Sequence, residues 1–370
     1  MQLFSLRDLE REAQRRLDPV VYDYFAGGSD DEITLRSNET SLARISLLPR
    51  VLRGAGQPTL DTSILGCTLS MPVLISPTAF HKLAHPDGER ATARAAATAR
   101  TVMIVSMAST VAIEEVAAAA RDAAPLEGNC WFQIYLQPDL GFTESLVRRA
   151  ESAGCSAIVV TVDSPTFGRK NRDLRNGFTD LPSGMCCENL REPANDNSSG
   201  TGKVRPIVFS PDISWRNIEW LRNLTTLKIV LKGIVHPADA KLAIQHGADA
   251  VLISNHGGRQ LDTVPATIDL LPAIADAVDG KIPLLVDGGI RRGTDVLKAL
   301  ALGADAVGIG RPVLWGLAIA GEAGVAQVLE TMRAELQCAL TLCGSRSVRD
   351  LARDLLQGLP GEGRCMSMRV

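Results

Sequence analysis

Val251-Leu252-Ile253-Ser254-Asn255-His256-Gly257-Gly258-Arg259-Gln260-Leu261-Asp262 is an apolar run that stops abruptly at polar residues and two glycines. Such a run reads as a buried strand delivering a loop. The loop carries a histidine and, three residues on, an arginine. Imidazole titrates near neutrality and can accept a proton, while guanidinium is a permanent fork for a carboxylate. The pair suits removal of a proton from an acid whose carboxylate is held in place. By itself, His-x-x-Arg more often marks a satisfied loop histidine and a surface charge, so the rest of the chain decides.

Outward from this stretch the same unit recurs. Short apolar runs at Pro72–Ser76, Val102–Ser106, Trp131–Tyr135, Ala157–Val162, Lys228–Leu231, Ala250–Ser254, Pro283–Val286 and Ala306–Ile309 predict strands. Between them, alanine-rich amphipathic segments such as Asp87–Ala99, Ile113–Arg121, Thr143–Ala153, Pro237–His246, Thr267–Val278 and Thr294–Leu302 predict helices. Strand alternating with helix implies a parallel sheet, and eight units over roughly 250 residues is the length of a (β/α)8 TIM barrel. A doubly wound sheet competes, but no Gly-x-Gly-x-x-Gly follows a first strand.

The chain reads as a single domain over 1–370, with an N-terminal helical extension over 1–70, the barrel over 71–320 and C-terminal helices over 321–370. In the extension, Leu6, Leu9, Ala13 and Leu17 have helical spacing that ends at Asp18-Pro19, followed by an aromatic cluster, Tyr22, Tyr24 and Phe25, against Gly27-Gly28. After strand 4 the rhythm breaks: residues 181–211, rich in Gly, Ser, Asn and Pro, predict a mobile lid loop over the barrel mouth. Near the C-terminus Gly324–Leu342 predicts a long amphipathic helix, and the last dozen residues read as frayed.

Composition excludes several classes. With 45% hydrophobic and 22% charged residues the chain is globular, and a net charge of −3 advertises no nucleic-acid partner. No apolar run is read as a membrane span, and Met1–Asp8 lacks the pattern of a signal peptide. Eight scattered cysteines form no ligand set, which predicts reduced thiols, no metal and a cytoplasmic protein.

In a barrel of this kind the C-terminal strand ends share one mouth. Read in turn, these ends give Pro77-Thr78-Ala79, Ser106, Gln133 with Tyr135, Thr161 with Asp163, Lys232, and Ser254 with His256 and Arg259. The seventh and eighth give Asp287-Gly288-Gly289-Ile290-Arg291 and Gly310-Arg311. Glycines that let backbone N–H groups approach an anion, each beside an arginine, suit a phosphate at the place where barrels commonly bind one. Thr78, Gln133 and Thr161 offer hydrogen bonds to a flat polar ring and Lys232 a fixed positive charge. A phosphate tail on a ring that gains negative charge describes flavin mononucleotide, FMN.

These motifs resemble the FMN-dependent L-2-hydroxy acid oxidase and dehydrogenase family, which includes glycolate oxidase, lactate oxidase and mandelate dehydrogenase. The likeness spans nearly the whole chain, through the Tyr24 segment, Pro77-Thr78-Ala79, Gln133-Ile134-Tyr135, Thr161-Val162-Asp163, Leu231-Lys232-Gly233, Ser254–Asp262 and Asp287-Gly288-Gly289. The resemblance implies His256 as the base that takes the substrate's proton and Asp163 as the group that orients it. Arg259 would clamp the carboxylate, with Tyr24 and Tyr135 hydrogen-bonding the carboxylate and the hydroxyl, and Lys232 would stabilise the anionic reduced ring. It further implies a homotetramer.

Two departures stand out. Many members carry a second arginine, helping to hold the carboxylate, where this chain has Lys170; it keeps the charge and loses the fork. Ala108 stands where glycolate oxidases carry a tryptophan, which predicts a substrate bulkier than glycolate. No haem-binding domain is recognisable and the 181–211 loop is polar. Oxygen, giving hydrogen peroxide, is therefore the expected acceptor, and Ala79 fits the oxidase pattern. The competing readings are a quinone- or cytochrome-linked dehydrogenase, a flavin-free phosphate-binding isomerase or lyase, and an idle FMN-binding module.

Overall fold

Runs of Val, Ile and Leu with no polar alternation are what strands buried on both faces require. In the computed structural model, which describes residues 5–125, 128–192 and 202–358, these runs form eight barrel strands. They are β1 (Val73–Ile75), β2 (Met103–Ser106), β3 (Cys130–Ile134), β4 (Ala157–Thr161), β5 (Lys228–Ile234), β6 (Ala250–Ile253), β7 (Leu284–Asp287) and β8 (Ala306–Ile309). All neighbours pair in parallel, and β8 pairs with β1 through Val307 and Val73, so the sheet closes as a (β/α)8 barrel.

All eight strands send inward residues to a common interior cluster, Leu74, Ile104, Trp131, Val159, Val230, Leu252, Leu285 and Ala306, which Ala157 and Ala250 join from β4 and β6. A hairpin of Thr62–Ile64 with Cys67–Leu69 joins that cluster through Ile64, Cys67 and Leu69 and plugs the end where the strands begin. Side chains alternate along a strand, so two residues further on the next inward layer appears. That layer is Ser76, Ser106, Gln133, Thr161, Lys232, Ser254 and Asp287, with glycine, Gly308, on the eighth strand. A Cβ at Gly308 would lie 2.2 Å from Ser76 Oγ, so the layer closes only with glycine there. Another step of two reaches Thr78, Ala108, Tyr135, Asp163, His256, Gly289 and Gly310. On β5 an irregularity between Lys232 and Ile234 interrupts the alternation.

The structure departs from the sequence reading in its helices. Asp18 does not end helical structure: its carboxylate accepts the N–H of Val20 and caps a second helix, α2 (Pro19–Ala26), that contains the aromatic cluster. Helix α1 (Leu6–Arg16) precedes it, and α3 (Ile33–Arg44) and a helix at Trp215–Leu224 are additional. The C-terminal helix begins at Arg311, not Gly324, and runs to Leu342 with a kink at Ala320 and Gly321. By length and composition it could cross a membrane, a property the apolar-run reading passes over, but 61% of its most apolar window is buried inside the protein. Of the 181–211 loop, residues 193–201 lie outside the described residues, as do the last twelve of the chain. The described flanks of the loop are structured: a bridge pairs Arg191 with Val204, and Val208 N–H donates to Gln137 Oε1 at 2.9 Å.

Candidate active site

The loop after β6 is a tight left-handed turn, with φ of 58° at His256, 64° at Gly257 and 74° at Gly258. Glycine is required at 258, where a Cβ would sit 2.6 Å from the backbone nitrogen of Leu35. Histidine in this region costs about 1–2 kcal/mol, and in return the ring is aimed at Asp163. His256 Nδ1 lies 2.9 and 3.2 Å from the two Asp163 oxygens, and Nε2 lies 3.5 Å from the Tyr135 hydroxyl. Burial depresses the His256 imidazole below its usual value, outweighing the pull of Asp163. Burial alone would raise the Asp163 carboxyl, but the facing His256 ring and the Lys232 charge bring it down to about 2. Nδ1–H therefore donates to an ionised carboxylate, and a bare Nε2 faces the cavity. That is a base with its counter-charge already in place for the proton it takes up.

The remaining motif residues hold this turn against the N-terminal extension. Asn255 and Asn38 exchange amide hydrogen bonds of 2.9 and 2.7 Å. Asp262 accepts N–H groups of Asp31, Ile33 and Thr34, capping α3. Arg259 Nη1 donates to the carbonyls of Tyr24 at 2.6 Å and Gly27 at 2.9 Å, and its guanidinium carbon lies 5.0 Å from the Tyr24 ring centre. The guanidinium also hydrogen-bonds the Tyr24 side chain, so the two present themselves together to a carboxylate. Tyr24, Tyr135, His256 and Arg259 thus line one cavity of about 780 Å³, within the ~300–1,000 Å³ usual for small-molecule and cofactor sites. Lys170 lines it too, with Nζ 3.2 Å from the Gly168 carbonyl; burial and the Arg259 charge bring this amine down to about 8.

The polar layer forms the cavity floor. Ser76 Oγ donates to Asp287 Oδ2 at 3.0 Å, Ser106 Oγ to Gln133 Oε1 at 3.2 Å, and Gln133 Nε2 to Thr161 Oγ1 at 3.0 Å. Lys232 Nζ donates to Ser254 Oγ at 3.0 Å and stands 4.0 Å from Asp287. Ser254 is fully buried in the same layer, where its hydroxyl holds both Lys232 Nζ and the His256 N–H.

These residues fit FMN. Buried Lys232 uses few of its three donors on the protein, and Asp287 Oδ1 and Arg291 Nε are buried with no partner among the described residues. Arg259, Arg291 and Arg311 converge so closely that burial and the other two charges push Arg311 down to about 9. Three guanidiniums facing the single paired carboxylate of Glu39 make a place for an anion. The expected role of Arg311 changes in detail. Its fork donates to the carbonyls of Phe25, Gly27 and Gly257 at 2.8–3.0 Å, so it supplies charge and ties the extension to the mouth.

Sequence reasoning missed the upper wall. Phe167 and Phe209 meet edge to face at 4.3 Å, Phe209 meets Tyr135 at 5.0 Å, and Phe80 stacks on Tyr24 at 5.4 Å. Of eight phenylalanines in the chain, five line this cavity, a concentration no spacing rule reveals. Ala108 belongs to the same wall.

A family model described as FMN-dependent dehydrogenase matches residues 13–358. The chain is 45% identical over 358 residues to an L-lactate oxidase of Nostoc sp., covering 95% of this chain and 97% of the relative. It is 44% identical over 366 residues to 2-hydroxyacid oxidase 1 of Homo sapiens, covering 97% of each. A crystal structure of mandelate oxidase with 3,3-difluoro-2-hydroxy-3-phenylpropionic acid superposes with a TM-score of 0.86 at 43% identity, covering 96% of this chain and 98% of that one.

Proposed function

The chain belongs to the FMN-dependent dehydrogenase family, and from that premise we propose that it oxidises an (S)-2-hydroxy acid to the 2-oxo acid and passes the electrons to oxygen. One observation carries the reading: a neutral imidazole held by Asp163, a guanidinium and two phenols line a single cavity above a floor fit for FMN. Bound FMN supplies the two-electron acceptor and the onward transfer to oxygen, giving hydrogen peroxide.

The side chains do the rest. Arg259 and Tyr24 take the carboxylate, with Lys170 beside them. Tyr135 hydrogen-bonds the 2-hydroxyl within reach of His256 Nε2, which accepts the departing proton. Asp163 then faces an imidazolium, a buried ion pair formed only as the reaction proceeds. The Lys232 ammonium opposes negative charge developing on the floor. Tyr24 stays a neutral donor, since burial pushes its phenol up to about 12. The balance closes: the acid loses two electrons and two protons, and oxygen gains both.

Ala108 and the ring-lined wall support a side chain larger than glycolate's, and one solved relative holds a phenyl-substituted 2-hydroxy acid. The oxidase names of the relatives and the position of Ala79 on the wall support oxygen as acceptor. We further assign a homotetramer, by likeness to the family, and the cytoplasm, since the seven described cysteines are free thiols. Light scattering after gel filtration tests the first and fractionation the second.

Anaerobic mixing of the yellow protein with glycolate, 2-hydroxyoctanoate and (S)-mandelate tests the activity by bleaching of the flavin band. Bleaching by the larger acids is expected, and no bleaching by any acid refutes the reading. One peroxide released per acid consumed in air separates oxygen from a quinone or cytochrome as acceptor.

A further inference from the structure

Behind the cavity wall, outside the residues with an assigned task, lies a closed set of buried polar groups. His81 is fully buried and does not line the cavity. Its Nε2 is 2.7 Å from Thr78 Oγ1 and its Nδ1 is 2.9 Å from Thr92 Oγ1. Its backbone N–H donates to Glu89 Oε1 at 3.1 Å, and the same carboxylate takes both the N–H and the hydroxyl of Thr110, at 2.9 and 2.7 Å. Glu89 and Thr92 come from α4 (Gly88–Thr98) at a spacing of three, which puts them on one face of the helix. The set therefore clamps the loop after β1 to the loop after β2.

We propose that His81 is a positioning residue of the FMN cradle, which fixes the rotamer and the hydroxyl proton of Thr78 where that residue lines the cavity. Thr78 stands one inward step beyond Ser76 on β1, and its methyl faces Gly310, where a Cβ would approach to 3.3 Å. A threonine left alone can turn its hydroxyl among several directions. Bonded to His81 it has one. The ring is in turn fixed at its far nitrogen by Thr92 and at its backbone by Glu89.

Burial depresses the His81 imidazole, so it is neutral, with one N–H and one bare nitrogen. Such a ring donates at one nitrogen and accepts at the other, and it holds the Thr78 backbone as well as the Thr78 hydroxyl. An apolar side chain here would leave the buried Thr92 hydroxyl without this partner and loosen the clamp, so part of the ring's role is structural. The other part lies at the end of the chain of bonds, at Thr78 on the cavity wall.

The experiment is a double-mutant cycle read by FMN binding to deflavinated protein, followed by fluorescence quenching, and by the absorption band of the bound flavin. His81→Leu and Thr78→Val are each expected to weaken FMN binding about tenfold and to shift the band alike, the double variant being no worse than Thr78→Val alone. His81→Gln, which keeps a donor and an acceptor, should recover most of the loss. A His81→Leu protein that melts earlier but binds FMN with unchanged affinity and spectrum overturns the proposal, as does a double variant that shows both losses multiplied. Should His81→Leu not fold, Thr92→Val loosens the ring from its far side. A severalfold loss that vanishes in the Thr78→Val background supports the role, and unchanged FMN affinity refutes it.

Discussion

The floor of the cavity and its rim are built by different rules. The floor is made of strand ends, where a period of two turns eight apolar interior residues into a polar layer and then into Tyr135, Asp163 and His256. Ser106 with Gln133, Gln133 with Thr161 and Lys232 with Ser254 bond between adjacent strands, while Ser76 with Asp287 and His256 with Asp163 and Tyr135 reach across the mouth. The rim is made of connections: the extension that brings Tyr24, the turn that brings Lys170, and the flanks of the long loop after β4 that bring Phe209. Its contacts are ring edges and backbone carbonyls, with few directed bonds. The difference assigns chemistry to the floor and substrate choice to the rim, so substitutions in the two should fail in different ways.

The largest effect belongs to the floor. His256→Ala should slow anaerobic flavin reduction by about 10²–10⁴-fold while FMN stays bound, because no hydrogen bond within the polar layer passes through the imidazole. A rate within a factor of a few of wild type would remove His256 as the base. Since burial depresses His256, its base form persists to lower pH than a free histidine's. The wild-type rate should therefore hold through pH 6.5 and fall only below it; a fall centred above 6.5 contradicts that sign. Arg259 stands at the boundary of the two regions. Arg259→Met should cost about 10–100-fold in kcat/KM, most of it in KM, measured by peroxide release with the best acid. A loss confined to kcat would place the guanidinium in the chemistry and blur the distinction.

The same contrast explains what was legible. Strand ends follow from an alternation that any reader can count, so Ser106, Gln133, Thr161, Lys232 and Asp287 were all found from the chain alone, as was the barrel. The bonds Ser254 makes to Lys232 and to the His256 N–H were not legible, because alternation gives the inward face and not the partners across the layer. The carbonyls that hold Arg311 were not legible, because those of Phe25 and Gly27 come from 286 and 284 residues upstream. Rim residues such as Phe167 and Phe209 carry no periodic signal at all; they meet only once the connections have been folded. Helix α2 was missed for a smaller reason: Asp-Pro was taken as a stop, whereas it is equally an N-cap followed by proline at the first turn.

On the rim itself, Ala108→Trp should fill the space beside the rings. Adding an indole to a packed wall costs binding of the larger acids, so their KM should rise about tenfold while glycolate changes little. If mandelate and glycolate suffer alike, the wall at Ala108 does not meet the side chain of the substrate, and specificity must be sought at Phe167 and Phe209.

Lys170 carries the smallest effect and the sharpest sign. Its amine is brought down to about 8 by burial and by Arg259, so the ammonium is present below that pH and is lost as pH rises through it. The KM for a 2-hydroxy acid should therefore rise about three- to tenfold between pH 7 and 9.5, with kcat nearly constant. Lys170→Arg, which cannot lose its proton in this range, should flatten the profile. Lys170→Met should show the high KM already at pH 7 and no further rise. If the rise above pH 8 survives in the methionine variant, another group on the floor titrates there, and the rim's part in holding the carboxylate reduces to Arg259 and Tyr24.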